Sequence, residues 1–218
     1  GVNMVSSVDG KATLGGKAFA IGSKVDHKLM RRIRLAADGV MNGAGSLRAE
    51  NVNPSVPREM EPLRTARGMS PQPTAIVVTA TADLPLESTF FTSELFPRVV
   101  VTTDSAPQER VRVLEPLATV IRAGRDRVDL KRMMEILASD LGIRRLLVEG
   151  GPTLNAQLIE AQLVDELFWT VAPKLLGGAA QRTMVEGSPL PLELVAHLEL
   201  LSLHHHESEL YLRYRFRR

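Results

Sequence analysis

The stretch Leu146-Leu147-Val148-Glu149-Gly150-Gly151-Pro152-Thr153-Leu154 constrains this chain more than any other. A short apolar run ends in an acid, two glycines and a proline, and an amphipathic pattern follows at once. That order predicts a buried strand, a tight turn and a helix start. In α/β proteins, ligands bind in the crevice at the carboxyl ends of the strands. The N–H groups of a helix start placed there can hold a phosphate.

The rest of the chain repeats this alternation. Residues 1–7 read as a first strand, already under way at Gly1, so a short lead-in segment is expected before it. Ser7-Val8-Asp9-Gly10-Lys11 is a turn signal, with Gly10 free to take positive φ. Ser23 reads as an N-cap for a helix whose stripe Val25, Leu29, Ile33 and Ala36-Ala37 extends it through Asp38. Lys28, Arg31 and Arg32 occupy the opposite face. Gly39-Val40-Met41 is a buried strand entering a second glycine turn, Asn42-Gly43-Ala44-Gly45-Ser46. Residues 53–73 form a long proline-rich loop, a length usually reserved for functional lids or disordered segments.

Strands follow at 75–79, 99–103 and 118–121, with a short helix at 107–114. A helix carrying Leu130, Met133, Met134, Leu137 and Leu141 is capped by Asp129 and stopped by Gly142. The strand at 143–148 leads into the opening motif, and its helix covers 153–162. A strand at 166–171 precedes two alternating segments, 198–204 and 210–216, which form an antiparallel hairpin around Glu207-Ser208. This order predicts one α/β domain over residues 1–218, with a mostly parallel central sheet and an antiparallel C-terminal hairpin. No composition break marks a second domain.

Composition excludes several function classes. The chain has no cysteine, so disulfides, thiolate catalysis and Cys-zinc sites fall away. No apolar run approaches the ~20 residues of a membrane span. Aromatic residues make up 4%, too few for base-stacking platforms. Neither a nucleic-acid nor a membrane partner is expected. The absent cysteines and the lack of a signal peptide suit the cytoplasm. His204-His205-His206 lies in a strand pattern, so His204 and His206 share a face and His205 does not. With no nearby third ligand, a polar hairpin end is the better reading, and no metal is expected.

The two glycine turns are neither a dinucleotide fingerprint nor a P-loop. Each alone suits a tight connection as well as a binding turn. Together they can line one crevice, with N–H groups and the hydroxyls of Ser46 and Thr153 facing phosphates. Glu149 closes its strand, where it can accept from a donor-rich heterocycle or be satisfied by backbone donors. Arg34 can bind a phosphate bidentately or be one more solvated helix arginine. Glu50 can be a general acid or positioning group, or an ordinary exposed glutamate.

These segments, with Leu163-Val164-Asp165-Glu166-Leu167 and Ala172-Pro173-Lys174-Leu175-Leu176-Gly177, carry a resemblance over nearly the whole chain. In order and spacing it resembles the pyrimidine reductase domain of riboflavin biosynthesis, which often forms the C-terminal half of a bifunctional deaminase-reductase. The resemblance implies a dihydrofolate-reductase-like, three-layer fold, an NADPH cofactor and a homodimer. It implies reduction of the ribosyl group of 5-amino-6-(5-phosphoribosylamino)uracil to ribityl, by hydride transfer to C1′. No deaminase domain is expected within residues 1–218. Carried across by position, Arg34 and Glu149 match substrate-binding residues, and Arg58 takes the place of a phosphate-binding arginine. Ser46, Thr79, Gly150, Gly151, Pro152, Thr153 and Leu154 fall at the cofactor. Glu50 falls where the family has a catalytic aspartate.

Two segments depart from the family pattern. Glu50-Asn51-Val52-Asn53-Pro54-Ser55-Val56-Pro57-Arg58 stands for an Asp-Asp-Pro motif and is longer. Phe19-Ala20-Ile21-Gly22 lacks the usual tryptophan-isoleucine-threonine type pattern. Both are substrate-contacting, so two alternatives stay open. One is a pterin or dihydrofolate reductase of the same fold, and the other is a non-catalytic nucleotide-binding protein.

Overall fold

A computed structural model describes residues 1–18, 20–179 and 181–217. Phe19, the first residue of the second departing segment, lies outside them. The chain divides into two compact units, Gly1–Met30 with Val148–Arg218, and Arg31–Leu147. The chain passes from one to the other inside helix α1 (Lys24–Arg34) and inside strand β6 (Leu146–Val148).

In the unit Arg31–Leu147, strands β2 (Gly39–Gly43), β3 (Thr74–Val78), β4 (Arg98–Thr102) and β5 (Thr119–Arg122) are all parallel, each paired with the next. A parallel strand covered on both faces reads as a continuous apolar run. Val40, Met41, Ala75, Ile76, Val77, Val100 and Val101 are accordingly buried. Helix α2 (Ala44–Ala49), the short α4 (Thr89–Thr92) and α5 (Gln108–Leu114) cover one face through Leu47, Phe90, Phe91, Val111 and Leu114. Helix α6 (Leu130–Ser139) starts on Asp129, whose carboxylate accepts from the Arg132 N–H at 3.0 Å, as its sequence predicts.

Three expectations in this unit need correction. Helix α1 ends at Arg34, short of Asp38. The next three N–H groups reach back only three residues, each at 3.1 Å, a tightened last turn. The buried carbonyls there have another partner: Arg64 donates to the oxygens of Arg34, Leu35 and Ala37 at 2.9, 3.3 and 2.7 Å. The strand before the opening motif begins at Leu146, because the N–H groups of Arg144 and Arg145 turn to the Asp38 carboxylate at 3.1 and 2.8 Å. The proline-rich loop is not structureless. It contains a 3-10 turn (Arg58–Met60) and helix α3 (Glu61–Thr65), and it buries Val56, Arg64, Met69 and Gln72.

In the other unit, β1 (Val2–Ser7) lies parallel to β7 (Glu166–Ala172) from Val2↔Leu167 to Ser7↔Ala172. Val2 also pairs with Val148, where β6 ends. Strand β9 (Glu209–Arg217) runs antiparallel to β7, and β8 (His197–His206) antiparallel to β9. The hairpin turns at Glu207-Ser208 with Glu207 at φ 52°, where the sequence places it. Helix α7 (Pro152–Glu160) buries Leu154, Asn155 and Leu158. The architecture is α/β, with parallel pairing through most of the strands and an antiparallel C-terminal hairpin.

Candidate active site

In the unit formed by Gly1–Met30 and Val148–Arg218, the opening motif makes a strand-to-helix turn. Glu149 is half-buried just past β6. Gly150 takes φ +97°, a conformation open to glycine and strained for other residues. Gly151 is the N-cap of α7 in extended geometry, with Pro152 in the first turn and no side-chain cap. The N–H groups of that turn therefore have no acceptor from a capping side chain, and the helix dipole adds positive potential at the same end. The helix start is itself anchored. Asn155 donates to the Met184 oxygen at 2.9 Å, and the Glu186 N–H to the Pro152 oxygen at 3.2 Å.

The Ser7–Lys11 turn and the Ala172–Gly177 segment, far apart in sequence, meet each other in this unit. The Val8 N–H donates to the Lys174 oxygen at 2.9 Å. Asp9 accepts from the Ser7 hydroxyl at 2.6 Å and from the N–H groups of Leu176 and Gly177 at 3.1 and 2.7 Å. Those bonds, the Ser7 one foremost, hold its carboxyl down at about 2. Lys174 donates to the oxygens of Ala20 and Ile21 at 3.0 and 2.7 Å.

Two buried acids in this unit have no sequence-level signal. Asp26, on α1, is 9% exposed. Burial pushes its carboxyl up; a hydrogen bond from Thr170 opposes that, and the charges of Glu209 and Glu149 add to it. Glu209 accepts from the Ser23 N–H at 3.1 Å, from the Ser23 hydroxyl, and from the Tyr211 hydroxyl at 2.5 Å. Burial and that carboxylate push Tyr211 up to about 12. Ser23 also caps α1, accepting from the Val25 and Asp26 N–H groups as expected. Glu209 was hidden because an acid near a hairpin turn reads as a solvated position.

In the unit Arg31–Leu147, Ser46 and Glu50 sit at the two ends of one short helical turn. The Glu50 N–H donates to the Ser46 oxygen at 2.9 Å, and Glu50 leaves α2 in extended geometry. Thr79 follows β3 and is 5% exposed. Since Gly43 pairs with Val78, Thr79 and the start of α2 share the carboxyl edge of neighbouring strands.

Arg34 is 4% exposed, which rules out the solvated-arginine reading. Its Nη1 donates to the oxygens of Asn53 and Ser55 at 2.9 and 2.8 Å, so it ties down the departing loop. Arg58 opens the 3-10 turn with an exposed side chain. Sequence reading missed Arg64 and Gln72, both buried beneath this loop. Gln72 stands between Pro71 and Pro73, where no periodicity marks a buried position. Among the described residues no group of three or more His, Asp or Glu could hold a metal, and no helix is long and apolar enough to cross a membrane.

The family model for the RibD C-terminal domain matches residues 1–211. The chain is 34% identical over 188 residues to the 2,5-diamino-6-ribosylamino-4(3H)-pyrimidinone 5′-phosphate reductase of Archaeoglobus fulgidus, covering 85% of each chain. It is 32% identical over 203 residues to the reductase of the same name from Aquifex aeolicus, covering 90% of this chain and 86% of that one. With the riboflavin biosynthesis protein RibD of Actinobacillus pleuropneumoniae it shares 27% identity, covering 83% of this chain and 46% of the relative. In fold it is similar to a pyrimidine reductase-like protein from Corynebacterium diphtheriae, with a TM-score of 0.88, 23% identity, and coverage of 100% and 91%. The match over residues 1–211 and the relatives at 32–34% identity agree, and the chain belongs to the RibD C-terminal domain family, the reductases of riboflavin biosynthesis.

Proposed function

We propose that this reductase uses NADPH to convert the ribosyl group of 2,5-diamino-6-ribosylamino-4(3H)-pyrimidinone 5′-phosphate into ribityl. The observation that carries the reading is the turn of residues 149–154. There a carboxylate and an uncapped helix start are joined through one glycine of positive φ. The residues fit a nicotinamide dinucleotide. Gly150 and Gly151 carry no side chains to obstruct a pyrophosphate, the first turn of α7 offers N–H groups, and Thr153 is exposed at that turn. Leu154 beneath it and Pro152 fix the turn's shape. By the resemblance, Ser46 and Thr79 are further cofactor residues.

NADPH, when bound, supplies the hydride that the ribose C1′ accepts as its ring opens. The chain's own residues do the rest. Glu50 holds the proton that the departing ring oxygen requires. Glu149 accepts from the N–H donors of the pyrimidine. Arg58 takes the 5′-phosphate from the exposed turn, and Arg34 serves the substrate by holding the loop at Asn53 and Ser55. Both compact units belong to one reductase domain, which acts as a cytoplasmic homodimer; light scattering should give a mass near twice 23.9 kDa.

The full-length relatives favour the diamino substrate. The alternative is the deaminated 5-amino-6-(5-phosphoribosylamino)uracil, on which the bifunctional branch of the resemblance acts. Following nicotinamide absorbance with each compound separates them. Faster oxidation with the diamino compound supports the proposal. Faster oxidation with the uracil reverses the choice. Oxidation with dihydrofolate alone, or tight NADPH binding without turnover, refutes both.

A further inference from the structure

The Gln72 side chain is 5% exposed and fully engaged. Its Oε1 accepts the Val56 N–H at 2.9 Å, and its Nε2 donates to the Val56 oxygen at 2.9 Å. The same Nε2 donates to the Glu61 carboxylate at 2.7 Å. One buried amide therefore holds the chain at both Val56 and Glu61. Between those points the chain makes the turn that opens with Arg58, its φ preset by Pro57 and closed by a Met60 N–H to Pro57 oxygen bond at 2.8 Å. Val56 itself is 2% exposed, so the anchor is rigid.

Arg34 and Arg64, the neighbouring cations, already spend hydrogen bonds on main-chain oxygens. Arg58 and Arg67 are the cations of this loop that face solvent, and Arg58 is the one on the turn held between Val56 and Glu61. A long exposed arginine binds an anion weakly unless its backbone is fixed, because ordering it costs entropy.

We propose that Gln72 is a positioning residue for phosphate recognition, holding the turn of residues 57–60 so that Arg58 is presented to the 5′-phosphate of the substrate. The inference rests on the reading above that Arg58 meets that phosphate. It makes this lengthened loop a specificity element, built from a buried glutamine in place of the shorter family motif.

Calorimetric titration of the full chain with ribose 5-phosphate tests it, on the wild type, R58A, Q72L and R58A/Q72L. Each single variant should weaken binding about tenfold, with the double variant no weaker than R58A alone. A purely structural glutamine would cost affinity equally in the R58A background, and that result overturns the proposal. Wild-type affinity in folded Q72L overturns it too, as does a wild type that does not bind ribose 5-phosphate. Should Q72L fail to fold, E61A removes only the second anchor, from a half-buried residue. It should weaken binding only while Arg58 is present; unchanged affinity overturns the proposal. Failure of the reductase reading shows separately, as no NADPH oxidation by a wild type whose titrations still follow this cycle.

Discussion

Arg64 donates through Nη1 to the main-chain oxygen of Arg34 at 2.9 Å, and Arg34 donates through its own Nη1 to the oxygens of Asn53 and Ser55. One buried arginine thus fixes the residue that fixes the loop. Arg64 is 1% exposed and also serves Leu35, Ala37 and Ser70. Arg64→Ala would strand those carbonyls and should destabilise the chain by about 3 kcal/mol. Arg58→Ala, on an exposed side chain, should stay within about 0.5 kcal/mol. Urea unfolding of the two variants checks the contrast; equal losses would mean the clamp does not hold the loop.

Asp9 and Asp26 should shift stability with pH in opposite senses. The Asp9 carboxyl lies at about 2, below its ordinary 3.8. Its contribution is present above pH 3.8 and is lost as the pH falls towards 2. Asp26 is raised above 3.8, mainly by burial. Its contribution is present below pH 3.8 and is lost as the pH rises through its folded value. Asp26→Asn keeps the shape and removes the buried charge. It should melt above the wild type near neutral pH and converge with it in acid. Asp9→Asn should melt below the wild type near neutral pH, the gap closing in acid. Thermal melts across that range decide it, and parallel curves for Asp26→Asn would contradict the assignment.

Two glycines separate yielding contacts from rigid ones. A Cβ on Gly39 would meet Ile76 Cδ1 at 2.9 Å and Ile143 Cγ2 at 3.1 Å, both side-chain atoms and the nearer one a side-chain tip. A Cβ on Gly124, at φ +87°, would meet the Arg127 oxygen at 2.3 Å and the Asp129 N at 2.8 Å. Those are backbone atoms at the start of α6. Gly39→Ala should cost about 1 kcal/mol and Gly124→Ala about 3 kcal/mol. A reversed order in denaturant midpoints would show that the α6 start is softer than its geometry implies.

What the sequence made legible was what depends on local pattern. The apolar strand Val99-Val100-Val101, the Asp129 and Ser23 caps and the Glu207-Ser208 hairpin turn all follow from spacing and side-chain chemistry within a few residues. The groups at the loop and the buried acids were not legible, because their partners are distant. Arg64 is 30 residues from the carbonyl of Arg34, and Glu209 is 186 residues from Ser23. A buried arginine and an exposed one look alike in a polar stretch, so the solvated reading of Arg34 had to await its two carbonyl acceptors. Local pattern marked the glycine turn after Val148, but nothing in it marked the Gln72 amide under the altered loop.

Glu149 and Glu50 should divide binding from chemistry. Glu149→Gln removes the charged acceptor proposed for the pyrimidine. It should raise the substrate KM about tenfold with little change in the KM for NADPH. Glu50→Gln removes the proposed proton source and should lower kcat about a hundredfold. Undiminished turnover in Glu50→Gln would end its assignment as the acid.

In the proposed reaction, hydride passes from the nicotinamide to the ribose C1′. The direct measurement uses NADPH carrying deuterium at the transferable C4 position, incubated with the wild-type chain and the diaminopyrimidinone riboside phosphate. Mass spectrometry of the product should show a ribityl chain with one deuterium at C1′, one for each NADPH oxidised. Oxidation of NADPH with no deuterium in the product, or no oxidation at all, would contradict the account.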